Sequence, residues 1–147
     1  MIEAIKTSLV RDIEKLKTEI ELYKNPEKIW IIDKEILNSA GNLCLHLIGN
    51  LNHFIGATLG NTGYVRNRDE EFTIKNVPTD ELINKIDTTL KIVNQTLNDL
   101  KEEQLKEDFP ILFANNKITT GDMLINIVTH LNYHLGQINY HRRLLDN

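Results

Sequence analysis

His130 and His134 stand four residues apart in a segment whose apolar spacing is helical. A helix turns about 100° and rises about 1.5 Å per residue, so the two are offset by about 40° and about 6 Å, and both imidazoles can converge on one ion. Leu131-Asn132-Tyr133 lie between them. The glutamate of a His-Glu-x-x-His zinc protease is missing, and that reaction class loses its general base. A third ligand has to come from another helix, where His46 and His53 are available. Seven residues put these two on one face but roughly 10 Å apart along the axis, too far for one ion to take both. Three neutral imidazoles with one or two open positions suit zinc, and also nickel or another late divalent ion, with water or substrate in the open position. The bland alternative is a set of core histidines satisfied by hydrogen bonds. The spaced pair and its partner helix favour the metal.

The elements that must position these rings are legible as apolar stripes. Ile2, Ile5, Leu9, Ile13, Leu16, Ile20 and Tyr23 recur at threes and fours and predict one long amphipathic helix, stopped by Asn25-Pro26. Trp30 falls in the connection that follows. Asn38 or Ser39 caps a second helix through Leu43, Leu47, Leu51, Phe54 and Thr58, ended by Gly60, Asn61 and Gly63. Residues 64–77 lack a sustained period and read as a surface loop. Pro78 and Thr79 open a third helix with Asp80 and Glu81 in its first turn and Leu82, Ile86, Leu90, Val93, Leu97 and Leu100 as its stripe. Residues 111–119 predict two short extended pieces about an Asn-Asn turn. Thr119 or Thr120 then caps the last helix, whose stripe is Leu124, Ile127, Leu131, His134, Ile138, His141 and Leu145. Four such helices bury their stripes most simply on one another. The expected fold is all-α, a single four-helix-bundle domain over residues 1–147 with a long connection between helices 2 and 3 that is able to cross the bundle.

Other polar residues carry weaker signals. In the loop, Arg66 or Arg68 can hold a substrate carboxylate through paired donors, and Glu70 or Glu71 can move a proton. Solvated charges that pair among themselves are the plainer reading. Gln137, close in angle to the histidine pair, can donate to an oxygen at the ion or make an interhelical bond. His53 and His141 share the faces of the ligand candidates and suit either an outer role, as proton carrier or orienting group, or interior hydrogen bonding. Tyr133 packs or faces a partner subunit. Cys44 is rotated about 160° from His46 and reads as a small core residue.

Leu45-His46-Leu47-Ile48-Gly49-Asn50-Leu51, followed far downstream by Thr129-His130-Leu131-Asn132-Tyr133-His134-Leu135-Gly136-Gln137-Ile138, resembles the DinB-like family of four-helix bundles, which includes the YfiT-type proteins. The resemblance spans nearly the whole chain. In that family a histidine on the second helix and a His-x-x-x-His pair on the last bind the metal, which implies His46, His130 and His134 here. The pair is commonly followed by Arg-Gly-Gln; this chain has Leu135 in place of the arginine and keeps Gly136-Gln137. Residues 66–72 look like a segment of one uncharacterised DinB-like subgroup.

An open three-histidine centre lowers the pKa of a bound water to about 7 or holds a thiol as thiolate, so the chemistry is hydrolysis or thiol transfer. The resemblance implies a metal-dependent transferase using a low-molecular-weight thiol such as bacillithiol. The rivals are a metal-dependent hydrolase, a metal-binding or interaction protein without turnover, and a plain bundle without metal. Bulk properties exclude other classes. Seventeen basic and 21 acidic residues, interspersed, give a net charge of -4 and no basic patch for nucleic acid. No apolar run approaches the roughly 20 residues that span a bilayer, and the first residues, Met-Ile-Glu, lack the positive charge of a signal peptide. One cysteine makes no intramolecular disulfide, which points to the cytoplasm. The expected partners are a small-molecule substrate and, from the resemblance, a second copy in a homodimer.

Overall fold

The stripe of the first segment folds as read: α1 (Ile2–Glu21) buries Ile2, Ile5, Leu9, Ile13, Leu16 and Ile20 on one face in the computed structural model, which describes residues 1–147. A 3-10 turn at Pro26–Trp30 follows, and α2 (Ala40–Leu51) begins where the Ser39 hydroxyl accepts from the Asn42 amide at 3.1 Å. Every residue of α2 is buried. It continues as a π-helical turn at Asn52–Ala57, where the Asn52 side chain donates to Ile48 O and to the Thr89 hydroxyl, both at 2.8 Å. Next come α3 (Arg68–Thr73), α4 (Thr79–Asp99), a 3-10 turn at Glu102–Lys106, and α5 (Thr120–Leu145), capped by Thr119. No helix is long and apolar enough to cross a membrane.

The four long helices form an all-α bundle in which α1 and α2 each pack between α4 and α5. Polar pairs record the directions. Lys17 meets Asp87 at 2.9 Å and Lys6 meets Asn98, so α1 and α4 are antiparallel. Asn132 meets Asp12 and Arg142 meets Glu19, so α1 and α5 are parallel. Asn52 on Thr89 and Gly60 against Thr96 make α2 and α4 parallel. Two consecutive long helices that run parallel require the chain to return along the bundle between them, so the long connection does cross it. The return segment is partly helical: α3 corrects the expectation of an unstructured surface loop over residues 64–77. Asn67 caps it by accepting from the Glu70 amide, and the Asn42 side chain holds it to α2 by donating to Glu71 O and Ile74 O at 2.9 and 2.8 Å.

Between α4 and α5, Phe113 and Asn116 exchange backbone hydrogen bonds at 2.9 Å. The turn residues are Ala114 and Asn115, both at positive φ, rather than the Asn-Asn pair that composition suggests.

His141 belongs to this scaffold. The Tyr23 hydroxyl donates to its Nδ1 at 2.6 Å, and its Nε2–H donates to Ile31 O at 2.8 Å, tying the C-terminal half of α5 to α1 and the segment after the first 3-10 turn. Burial holds its pKa below the usual histidine value, partly offset by the bond to Ile31 O. A base with a depressed folded-state pKa contributes stability that is complete above the unfolded value of about 6.5 and is lost as pH falls from there toward the folded value. In metal-free protein the urea midpoint is therefore expected to drop between pH 7.5 and pH 5. His141→Gln should shallow that drop while costing about 1–3 kcal/mol at pH 7.5, because Tyr23 Oη and Ile31 O lose their partner. An unchanged slope in the variant would assign the acid sensitivity elsewhere.

Candidate metal centre

Across the antiparallel α2–α5 interface, His46, His130 and His134 come together, with one ligand-capable atom of each within 4.8 Å of the others. His46 is 6% exposed, and the α5 pair is half-buried. His53 and Cys44 stand outside the group. Cys44 is fully buried, which pushes its thiol up to about 12. It is the inert core residue that its rotation from His46 predicts.

Neighbours set the imidazole tautomers. His46 Nδ1 lies 3.0 Å from Glu71 Oε1, to which it donates, leaving the Nε2 lone pair facing the cluster. His134 Nδ1 lies 2.7 Å from Gln137 Oε1 and donates likewise. Gln137 thus makes its bond within α5 rather than between helices, and orients the His134 ring from one turn away. His46 Nε2 and His130 Nε2 face each other at 3.1 Å. Two nitrogens at zinc distances of about 2.0–2.1 Å and tetrahedral angles lie about 3.3 Å apart, so the observed spacing fits a shared ion. His130 Nδ1 is buried without a partner. Burial and the neighbouring positive charge that His134 or His46 would carry push His130 down to about 4, and burial lowers His134. Both stay neutral at pH 7 with lone pairs available. The donor set fits a divalent late metal.

Glu71, named only beside Glu70 at the sequence level, is the carboxylate that matters. It is 6% exposed and carries two partners: Arg66 Nε and Nη2 reach its oxygens at 2.8 and 2.9 Å, and His46 takes the remaining direction. Burial alone would raise its pKa, but the bonds from His46 and Arg66 outweigh it and hold the carboxyl below the usual range. Gly49 makes this possible, because a Cβ there would overlap the Glu71 carboxylate. Glu70 points to solvent. Arg66 is spent on Glu71, with its guanidinium 5.9 Å from the Phe54 ring, while Arg68 is exposed on the rim.

The cluster opens on a cleft of about 620 Å³ lined by His46, His130, Asn50, Arg68, Phe54 and Phe113 among others. A second cleft of about 600 Å³ reaches His134 and Gln137 from the other side of Tyr133. No carboxylate belongs to the group of possible ligands, and two of its members, His46 and His130, line the first cleft. Leu135, where the resemblance leads one to look for arginine, is 7% exposed and joins the core.

A family model described as "Protein of unknown function (DUF1572)" matches residues 3–147. A crystal structure of a conserved protein from Enterococcus faecalis is similar at 16% identity, with a TM-score of 0.77, over 99% of this chain and 96% of that one. At that identity the likeness is one of fold. No curated protein matches the chain.

Proposed function

The chain belongs to the DUF1572 family, and we propose that it is a DinB-like metal-dependent enzyme which holds one zinc or nickel ion on His46, His130 and His134 and transfers a low-molecular-weight thiol to an electrophile. The observation that supports the reading is the convergence of three imidazoles, two of them oriented by Glu71 and Gln137, with His46 and His130 lining an open cleft and no fourth protein ligand in the group. Structural metal sites close their coordination with protein ligands; sites that do chemistry leave a position free. A divalent ion in such a site lowers the pKa of a bound thiol or water and so supplies a nucleophile at neutral pH.

The residues around the ligands favour sulfur over water. Hydrolysis is helped by a free carboxylate that takes a proton from the attacking water and returns it to the leaving group. Glu71 is locked between Arg66 and His46, and Glu70 faces away. A thiol is more acidic than water and would need no such base at an ion held by His46, His130 and His134. The sulfur then forms a bond to the electrophilic carbon as the leaving group departs with its electron pair.

Elemental analysis with a thiol-conjugation assay tests this. Metal-free protein offered zinc or nickel should retain about one ion per chain, and the loaded form should accelerate displacement of chloride from monochlorobimane by bacillithiol. The His46, His130 and His134 triple-alanine variant should do neither. Metal uptake with hydrolysis of p-nitrophenyl acetate and no thiol conjugation would replace the transferase reading with a hydrolase. Stoichiometric metal with neither activity would leave a non-catalytic metal protein.

A further inference from the structure

Between Asn61 and Asn76 the crossover contains a single buried residue, Glu71, with Arg66 and Phe72 half-buried and the rest exposed. A segment held by so little apolar contact opens at a lower cost than the core it covers. What seats this one on α2 is polar and rests on two α2 side chains. The Asn42 amide donates to Glu71 O and Ile74 O and accepts from Lys75 Nζ, and His46 Nδ1 meets Glu71 Oε1 at 3.0 Å. His46 is thus tied through one ring nitrogen to the crossover and turned through the other toward His130 Nε2, 3.1 Å away. A neutral imidazole carries its proton on one nitrogen only. With the proton on Nδ1, His46 donates to the Glu71 carboxylate and presents a bare Nε2 to the cluster. With the proton on Nε2, it donates to His130 instead and sets an Nδ1 lone pair against a carboxylate oxygen, leaving Arg66 Nη2 at 3.3 Å as the donor to Nδ1. Only the first form can give Nε2 to a divalent ion.

From this arrangement we propose that the crossover is a strap whose seating on α2 is coupled to metal at the three histidines: occupancy fixes the Nδ1–H form of His46, and that N–H holds Glu71. The inference rests on the metal reading of the preceding subsection but not on thiol transfer. Its size follows from reciprocity. An orienting carboxylate is worth roughly 10–100-fold in metal affinity. Two linked events strengthen each other by the same factor, so metal should shift the strap toward its seated state by about 10–100-fold. The strap also carries Arg66 and Arg68 into the wall of the first cleft. Metal loading and completion of that wall are then coupled, although neither arginine is a ligand.

Amide hydrogen exchange on wild-type and Glu71→Gln protein, each metal-free and at saturating zinc, tests the coupling. The reporter is the Ile74 amide, which donates to Glu70 O at 3.0 Å within the strap. The controls are the Lys28 and Glu107 amides, each bonded within a short turn outside the strap and so also open to exchange by local opening. Zinc should slow Ile74 by about 10–100-fold in the wild type and leave both controls within about twofold. In Glu71→Gln the same zinc should slow Ile74 by less than about threefold, because the charged acceptor that transmits the effect is gone. Zinc uptake of about one ion per chain with Ile74 unchanged overturns the strap and leaves the metal centre standing. Equal slowing of Ile74 in both proteins shows a route other than the carboxylate and overturns the proposal. Controls slowed as much as Ile74 mark general stabilisation and overturn it too. Absence of zinc uptake overturns the metal reading and this inference together.

Discussion

Changing His130 to alanine is expected to abolish stoichiometric zinc binding and leave the metal-free bundle standing. Losing an outer partner of a metal ligand costs roughly 10–100-fold in affinity, and losing a ligand itself costs more. With His130 absent, the lone pair that faces His46 Nε2 at 3.1 Å is gone, and His46 and His134 alone cannot enclose an ion. Folding is another matter. His130 contributes a half-buried imidazole whose Nδ1 has no partner, so removing it also removes an unsatisfied polar atom. The stability of the metal-free variant should stay within about 1 kcal/mol of wild type, because the lost packing and the relieved desolvation oppose each other. His134→Ala and His46→Ala should lose zinc similarly. His53→Ala should bind zinc like wild type, since His53 lies outside the cluster. Retention of zinc by both α5 variants would mean that the ion sits somewhere other than the α2–α5 interface.

The ranking of His46 over His53 shows where sequence reading ends and three-dimensional information begins. The i, i+4 pair was legible because helix geometry alone makes those rings neighbours, and the stripes on α1, α4 and α5 were legible because each is long enough to repeat its period. Spacing could not choose between His46 and His53, since seven residues return to the same face. The choice follows from which turn of α2 lies opposite His130, a matter of helix register across an interface. The short α3 escaped periodicity altogether: six residues make under two turns. A signal for it was nonetheless present in Asn67 followed by Asp69, Glu70 and Glu71, an N-cap with acids in the first turn. What no local pattern reveals is that Glu71, rather than Glu70, turns inward. That depends on Gly49, 22 residues earlier, leaving room for a carboxylate against α2.

Removing the charge of Glu71 should then have the second large effect, and the form of the effect distinguishes what the residue does. Glu71→Ala leaves the Arg66 guanidinium, 13% exposed, without its carboxylate and leaves His46 Nδ1–H without an acceptor. Breaking a buried pair by deleting one partner costs about 3–5 kcal/mol, far more than the pair itself is worth, because the surviving charge remains desolvated. α3 should loosen from α2, and the urea midpoint should fall accordingly. Glu71→Gln keeps the shape and one acceptor oxygen but offers an N–H where Arg66 or His46 now donates, so its stability should lie between wild type and alanine. Both variants release His46 from its tautomer, and zinc affinity should drop about 10–100-fold, as for other ligands that lose an orienting carboxylate. At zinc concentrations that saturate the variants, turnover in Glu71→Gln should largely return, because a group that only orients His46 has finished its task once the ion is held. A carboxylate that itself moved a proton in the reaction would give the opposite pattern: affinity close to wild type and turnover lost even at saturation. The Arg66 pair argues for the first outcome, since a carboxylate held below its usual pKa by a guanidinium and an imidazole is a poor proton acceptor at neutral pH.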